Sequence, residues 1–126
     1  MAYDSDMEQA ANRHYRDGKK LQDSNCIDNA GYHYGFAAEC AIKHRLLKAG
    51  VREDDTAMWL HFHELRTYAL LAIARRTDKD LYDLINQSNF MQEWGIRMRY
   101  AKNGSVLQSR AEKWRKDADQ ALGLLI

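Results

Sequence analysis

The chain has 126 residues, with Lys+Arg 19 against Asp+Glu 18 and a net charge of +1. This length suits one domain, residues 1–126, with a substantial core, and the charge balance excludes whole-molecule attraction to nucleic acid, so any such surface must be a local patch. The absence of proline favours long helices, no apolar run approaches the ~20 residues of a bilayer span, and Met1–Asp6 lacks the basic-then-apolar order of a signal peptide.

A first helix is predicted from Ser5, where Ser5-Asp6-Met7-Glu8 reads as a capping box. Its apolar seam is Met7, Ala11, His14, Gly18 and Leu21, and Asp23-Ser24-Asn25 ends it and can cap the next helix. The second helix is predicted over Ile27–Ala49, stopping at Gly50. It is apolar on two faces (Gly31, Gly35, Ala38, Ile42 and Ala30, Tyr34, Ala37, Ala41), the pattern of a central helix. The Gly31/Gly35 spacing predicts a close helix crossing rather than a phosphate loop, which would follow a strand. Cys26 and Cys40 stand about four turns apart if that helix starts early. That is too far for a disulfide, so reduced thiols in a cytoplasmic protein are expected.

Val51 to Phe62 reads as a polar linker with an apolar end. A third helix is predicted from His63-Glu64-Leu65 through Tyr68, Ala69, Ala72 and Ile73, broken by Arg75-Arg76-Thr77-Asp78. A short fourth helix carries Leu81, Leu84 and Ile85, and Gln87 to Gly104 is irregular and rich in aromatics and arginine. A fifth helix is predicted behind a second capping box, Ser105-Val106-Leu107-Gln108, with the seam Leu107, Ala111, Trp114, Ala118 and Leu122. The expected fold is all-α: an antiparallel four-helix bundle with one short extra helix.

Three blocks in order, Ala11–Leu21, Asn29–Lys43 with its Ala-Glu-Cys-Ala-Ile-Lys core, and His63-Glu64-Leu65 followed by Trp94–Tyr100, resemble the HEPN domain family (higher eukaryotes and prokaryotes nucleotide-binding). The resemblance implies a helical bundle that is often a homodimer, in toxin–antitoxin, antiphage or nucleotidyltransferase-associated settings. Many members of that family are metal-independent ribonucleases with an R-x4-6-H motif. Here the motif lacks its histidine: the permitted positions after Arg97 hold Lys102, Asn103 and Gly104, and those after Arg99 hold Gly104, Ser105 and Val106. Without the imidazole suited to proton transfer near neutral pH, the usual activity is not carried over.

Glu39 and Lys43 form an i,i+4 pair that reads either as an intrahelical bridge or as a cleft in which Glu39 orients Arg97 or Arg99. Arg97, Arg99 and Tyr100, with Lys102 and Asn103 behind them, are the candidates for phosphate contact, and Asn103-Gly104 with the next amides could add an anion site. The plain alternative makes Trp94 and Tyr100 core plugs and pairs the arginines with acids. His63 reads as a helix-start histidine, and the resemblance makes it a cleft candidate. His61 and His63 point to different sides of a helix and no second ligand cluster exists, so neither a metal nor a cofactor is expected. His33 and His44 read as solvent or interface positions, Lys19-Lys20 and Arg75-Arg76 as solvated helix ends, and Cys40 as a small hydrophobe. Three functions follow: a module binding nucleotide, RNA or a partner, as a homodimer without the usual cleavage; a ribonuclease toxin with an altered site; or an adaptor for a nucleotidyltransferase or antitoxin partner.

Overall fold

The computed structural model describes residues 4–73 and 77–126, and within them every regular element is helical. Five α-helices follow one another: α1 Met7–Asp23, α2 Ile27–Lys48, α3 Glu64–Ala72, α4 Lys79–Ile85 and α5 Gln108–Leu122. Short 3-10 turns at Thr56–Trp59, Ile96–Tyr100 and Gly123–Leu125 complete the chain. No helix among the described residues is long and apolar enough to cross a membrane.

The core is organised around α2, as its doubly apolar pattern predicts. Ala30, Tyr34, Ala37, Ala38, Ala41, Ile42 and Leu46 are all completely buried. Such small residues let α1 and α5 lie close against it. At the α1–α2 contact, a Cβ on Gly18 would stand 2.7 Å from the Tyr34 ring and 3.3 Å from the Ala30 carbonyl oxygen, so only glycine lets these helices meet there. Gly31 serves the predicted close approach of a helix, α5, whereas Gly35 makes room for the irregular segment after α4. Each is a seat for an indole, Trp114 at Gly31 and Trp94 at Gly35.

The helix ends differ instructively from the predicted ones. Asp6, not Ser5, caps α1 by accepting from the Gln9 N–H at 2.9 Å, since a carboxylate one residue on satisfies the first turn equally well. No side chain of Asp23-Ser24-Asn25 caps α2; Asn25 takes a left-handed φ of 62° to reverse the chain, and Cys26 is the N-cap residue. The other end of α2 behaves as predicted, with Gly50 at φ 103°. The Ser105–Gln108 box does not form either. α5 begins at Gln108, and the Gly104 and Val106 N–H groups donate to the Asp28 carboxylate from the first turn of α2, at 2.8 and 2.9 Å. Leu107 is therefore outside the α5 seam and 69% exposed.

α3 is shorter than the fourth long helix expected, nine residues, with Ile73 turning extended but still buried. The expected Arg75–Arg76 part of the break lies outside the described residues. Asp78 caps α4 through the Leu81 N–H, and its carboxylate receives both Nε and Nη2 of Arg45 from α2, at 2.8 and 2.5 Å. Arg45 also donates to the Leu124 carbonyl, so one guanidinium ties α2 to α4 and to the chain's last turn.

Candidate functional site

The segment that follows α4 is irregular in backbone but not loosely held. Phe90, Met91 and Trp94 are each at most 1% exposed. Asp117 of α5, itself buried, accepts from the Met91 N–H at 2.9 Å and pairs with Lys113, fixing a residue whose φ is 50°. Trp94 then enters the notch at Gly35, where a Cβ would sit 1.9 Å from its ring, and donates its indole N–H to the Gly31 carbonyl at 3.0 Å. Its ring stacks on Tyr32 at 5.9 Å and meets Phe36 and Phe62 edge-on at 5.6 and 5.8 Å.

Glu39 lies one turn beyond Phe36 on α2 and is 1% exposed. Its two oxygens have separate partners, both from the stretch before α3. Oε1 is 2.9 Å from His61 Nδ1, and Oε2 accepts from the Phe62 N–H at 2.8 Å. Phe62 is brought there by its own burial against Phe90 and Trp94. With Glu39 ionised the carboxylate only accepts, which makes Nδ1 of His61 the donor and, in that tautomer, leaves the lone pair on Nε2. The His61 side chain is 35% exposed beside the 2% exposed Glu39 side chain, a buried carboxylate holding a partly solvated imidazole. Burial pushes the Glu39 carboxyl above its ordinary range, against the opposing pull of His61, the Phe62 N–H and Lys43.

The predicted partners of Glu39 are elsewhere. Lys43 is only 6% exposed yet makes no ion pair with Glu39; it acts on the carboxylate through space alone. Arg97 and Arg99 do not reach Glu39 either. They project from the Ile96–Tyr100 turn, where Ile96 and Met98 pack on the core and leave the arginines outside. An acceptor already satisfied by an imidazole and a backbone amide has no need of a guanidinium. Neither arginine forms an ion pair with a described residue, so the plain alternative of arginines paired with acids does not hold; Trp94 is a core plug but Tyr100 is 79% exposed. The Arg99 guanidinium lies 5.5 Å from the Tyr100 ring centroid. Tyr32 links the two groups of residues: burial raises its phenol, Arg99 counteracts that, and Glu39 and Tyr100 add to it.

His63 is exposed at the head of α3, outside this cluster; His61 occupies the place expected for it. Asn103 and Lys102 are exposed at the turn before α5. The anion site predicted at Asn103-Gly104 is filled from within, since Asp28 already takes the Gly104 and Val106 amides. Cys40 is set back by burial, which pushes its thiol up to about 11 and keeps it unreactive near neutral pH. Among the described residues no group of three or more His, Cys, Asp or Glu side chains is arranged to hold a metal ion.

Beside Phe36 stands a second imidazole feature that the periodicity of α1 hides. His14 Nδ1 of α1 is 3.0 Å from His33 Nδ1 of α2, with Phe36 5.3 Å from the His14 ring. Burial, then His33 and Arg13, push His14 down to about 4, while Asp17 opposes the shift. The arrangement as a whole offers an imidazole at the edge of a buried carboxylate, an aromatic wall of Tyr32, Phe36 and Trp94, and two exposed arginines without ion pairs among the described residues, one of them over an exposed phenol ring. Comparison of the chain with protein-family models, with curated proteins and with solved structures returns no match.

Proposed function

We propose that the chain is a HEPN-like module, an antiparallel four-helix bundle with one short extra helix, that works as a cytoplasmic homodimer and binds RNA or a nucleotide through Arg97, Arg99 and Tyr100. One observation carries this reading: Arg97 and Arg99, exposed and without ion pairs among the described residues, share a short turn packed on α2 with the exposed Tyr100, whose ring lies 5.5 Å from the Arg99 guanidinium. Guanidinium groups suit phosphate oxygens, and an aromatic face accepts any base. Stacking on such a ring is worth about 1–3 kcal/mol per base. Anisotropy of a labelled single-stranded RNA tests this, with Tyr100→Ala weakening binding by that amount. Equal affinity of the variant and the parent chain would remove Tyr100 from the reading. Lack of any RNA or nucleotide affinity, together with tight association with a nucleotidyltransferase or antitoxin, would replace the module by an adaptor.

The Glu39–His61 pair favours a second reading, a ribonuclease with an altered site. His61 Nε2 would take the proton of a ribose 2′-hydroxyl, the 2′-oxygen would bond to phosphorus, and the bond from phosphorus to the 5′-oxygen would break, leaving a cyclic phosphate. The 5′-oxygen would leave with the proton returned by the imidazolium. Cleavage by purified protein that is lost in His61→Ala supports this; intact RNA after prolonged incubation removes it and leaves binding alone.

A further inference from the structure

Away from the Glu39–His61 cluster, the start of α1, the end of α2 and the Thr56–Trp59 turn enclose a cleft of about 270 Å³. Met7, Leu47, Met58 and Trp59 give it apolar walls, and Asp4 and Glu53 stand at its edge. Such a volume lies below the ~300 Å³ at which small-molecule sites begin, so it takes one side chain rather than a nucleotide. Trp59 is 72% exposed and, among the described residues, has neither an aromatic ring against it nor an acceptor for its indole N–H. Trp94 and Trp114, by contrast, are 1% and 3% exposed, and both have hydrogen-bonded indoles. A large indole left in water beside two methionines is the composition of a surface that accepts a partner.

The charge at the cleft selects the partner's chemistry. Among the described residues neither Asp4 nor Glu53 has an ion-pair or side-chain hydrogen-bond partner, whereas Asp54, beside Glu53 in sequence, is taken by Arg52 at 3.1 Å. Neither Arg52 nor Lys48 lines the cleft. Two carboxylates without partners among the described residues, lining one cleft with an exposed indole, attract a cation with an alkyl stem: the carboxylates meet the charge, the indole face takes the cation, and the methionines cover the methylenes. We infer that this cleft docks a basic segment of a partner protein, seating a lysine or arginine side chain between Trp59 and the Asp4/Glu53 edge. The surface shares no lining residue with the proposed RNA site, so the two readings succeed or fail separately.

The experiment follows the emission of Trp59, the one exposed indole, during titration with a short Lys/Arg/Leu peptide and with its Glu/Asp/Leu counterpart. The basic peptide is expected to shift the emission saturably to the blue, increasingly weakly as salt rises, and the acidic peptide to leave it unchanged. The Asp4→Asn/Glu53→Gln double variant, expected to keep the parent's circular dichroism spectrum, is expected to bind roughly fivefold more weakly. Calorimetry with Trp59→Ala is expected to show roughly a tenfold loss or more. No saturable shift, an equal response to both peptides, or full affinity in the double variant would overturn the assignment. So would an emission shift that follows protein concentration without peptide, which would give the cleft to a second copy of the chain.

Discussion

Replacing Gly35 by alanine puts the indole seat at the centre of the site under direct test. The new Cβ would stand 1.9 Å from Trp94 Cε2 and 2.1 Å from its Nε1, about half an ordinary van der Waals separation. Trp94 has nowhere to retreat: it is 1% exposed and touches Tyr32, Phe36 and Phe62. Moving the ring breaks its hydrogen bond to the Gly31 carbonyl, worth about 1 kcal/mol. It also disturbs stacking worth about 0.5–1.5 kcal/mol and adds overpacking strain of about 1–3 kcal/mol. Against these stands the gain in helix propensity of alanine over glycine, about 1 kcal/mol. The balance is a destabilisation of about 1.5–4.5 kcal/mol. Urea unfolding followed by tryptophan fluorescence measures it, with Gly123→Ala as control, since a Cβ there meets nothing within 4 Å. A Gly35→Ala variant as stable as the parent chain would refute the seating of Trp94 and, with it, the aromatic wall beside Glu39.

Other consequences can be measured on the same material. Glu39→Ala leaves the buried Phe62 N–H without an acceptor and frees His61, and is expected to cost about 2–3 kcal/mol in urea unfolding; a neutral result would mean that Phe62 is held by packing alone. Asp117→Ala releases the Met91 N–H and Lys113 and is expected to cost about 2–4 kcal/mol, with Asp117→Asn milder because its amide oxygen still accepts from Met91. His14 is held neutral in the fold down to about pH 4, whereas the unfolded chain protonates it near its ordinary value of 6.5. The unfolded state therefore binds the extra proton, so stability is full above pH 6.5 and falls as pH drops towards 4. Allowing for the partial exposure of the ring, the loss is about 1–2 kcal/mol. His14→Gln is expected to flatten that slope, and an unchanged slope in the variant would contradict the assignment.

The reach of the sequence is clearest in α2. Its small and apolar residues fall on more than one face, which marks a central helix whatever the surrounding topology, and Gly50 marks its end. Glu39 was legible as a carboxylate in need of partners, but not which ones. Helical charge pairing points to Lys43 and the wish for a strong donor points to arginine, yet an imidazole and one backbone N–H satisfy both oxygens. The donors lie 22 and 23 residues away in a stretch without periodicity, so no spacing rule reaches them. The one available signal was the apolar end of the linker: a phenylalanine that must be buried carries its own amide and the preceding histidine inward. Ser105 has the right residue type, but Asp28, far away in sequence, competes for the same amides with a full negative charge. Asp117 was hidden because an i,i+4 Lys–Asp pair looks the same in sequence whether it faces water or anchors a loop.

The most direct measurement is the salt dependence of RNA affinity for the parent chain and for Arg97→Ala/Arg99→Ala. If both arginines contact phosphate, the parent affinity falls steeply with salt, and the double variant binds more weakly with a log–log slope smaller by about 0.7 per arginine removed. An affinity and slope unchanged by the double substitution, or no binding at low salt by the parent chain, would contradict the account.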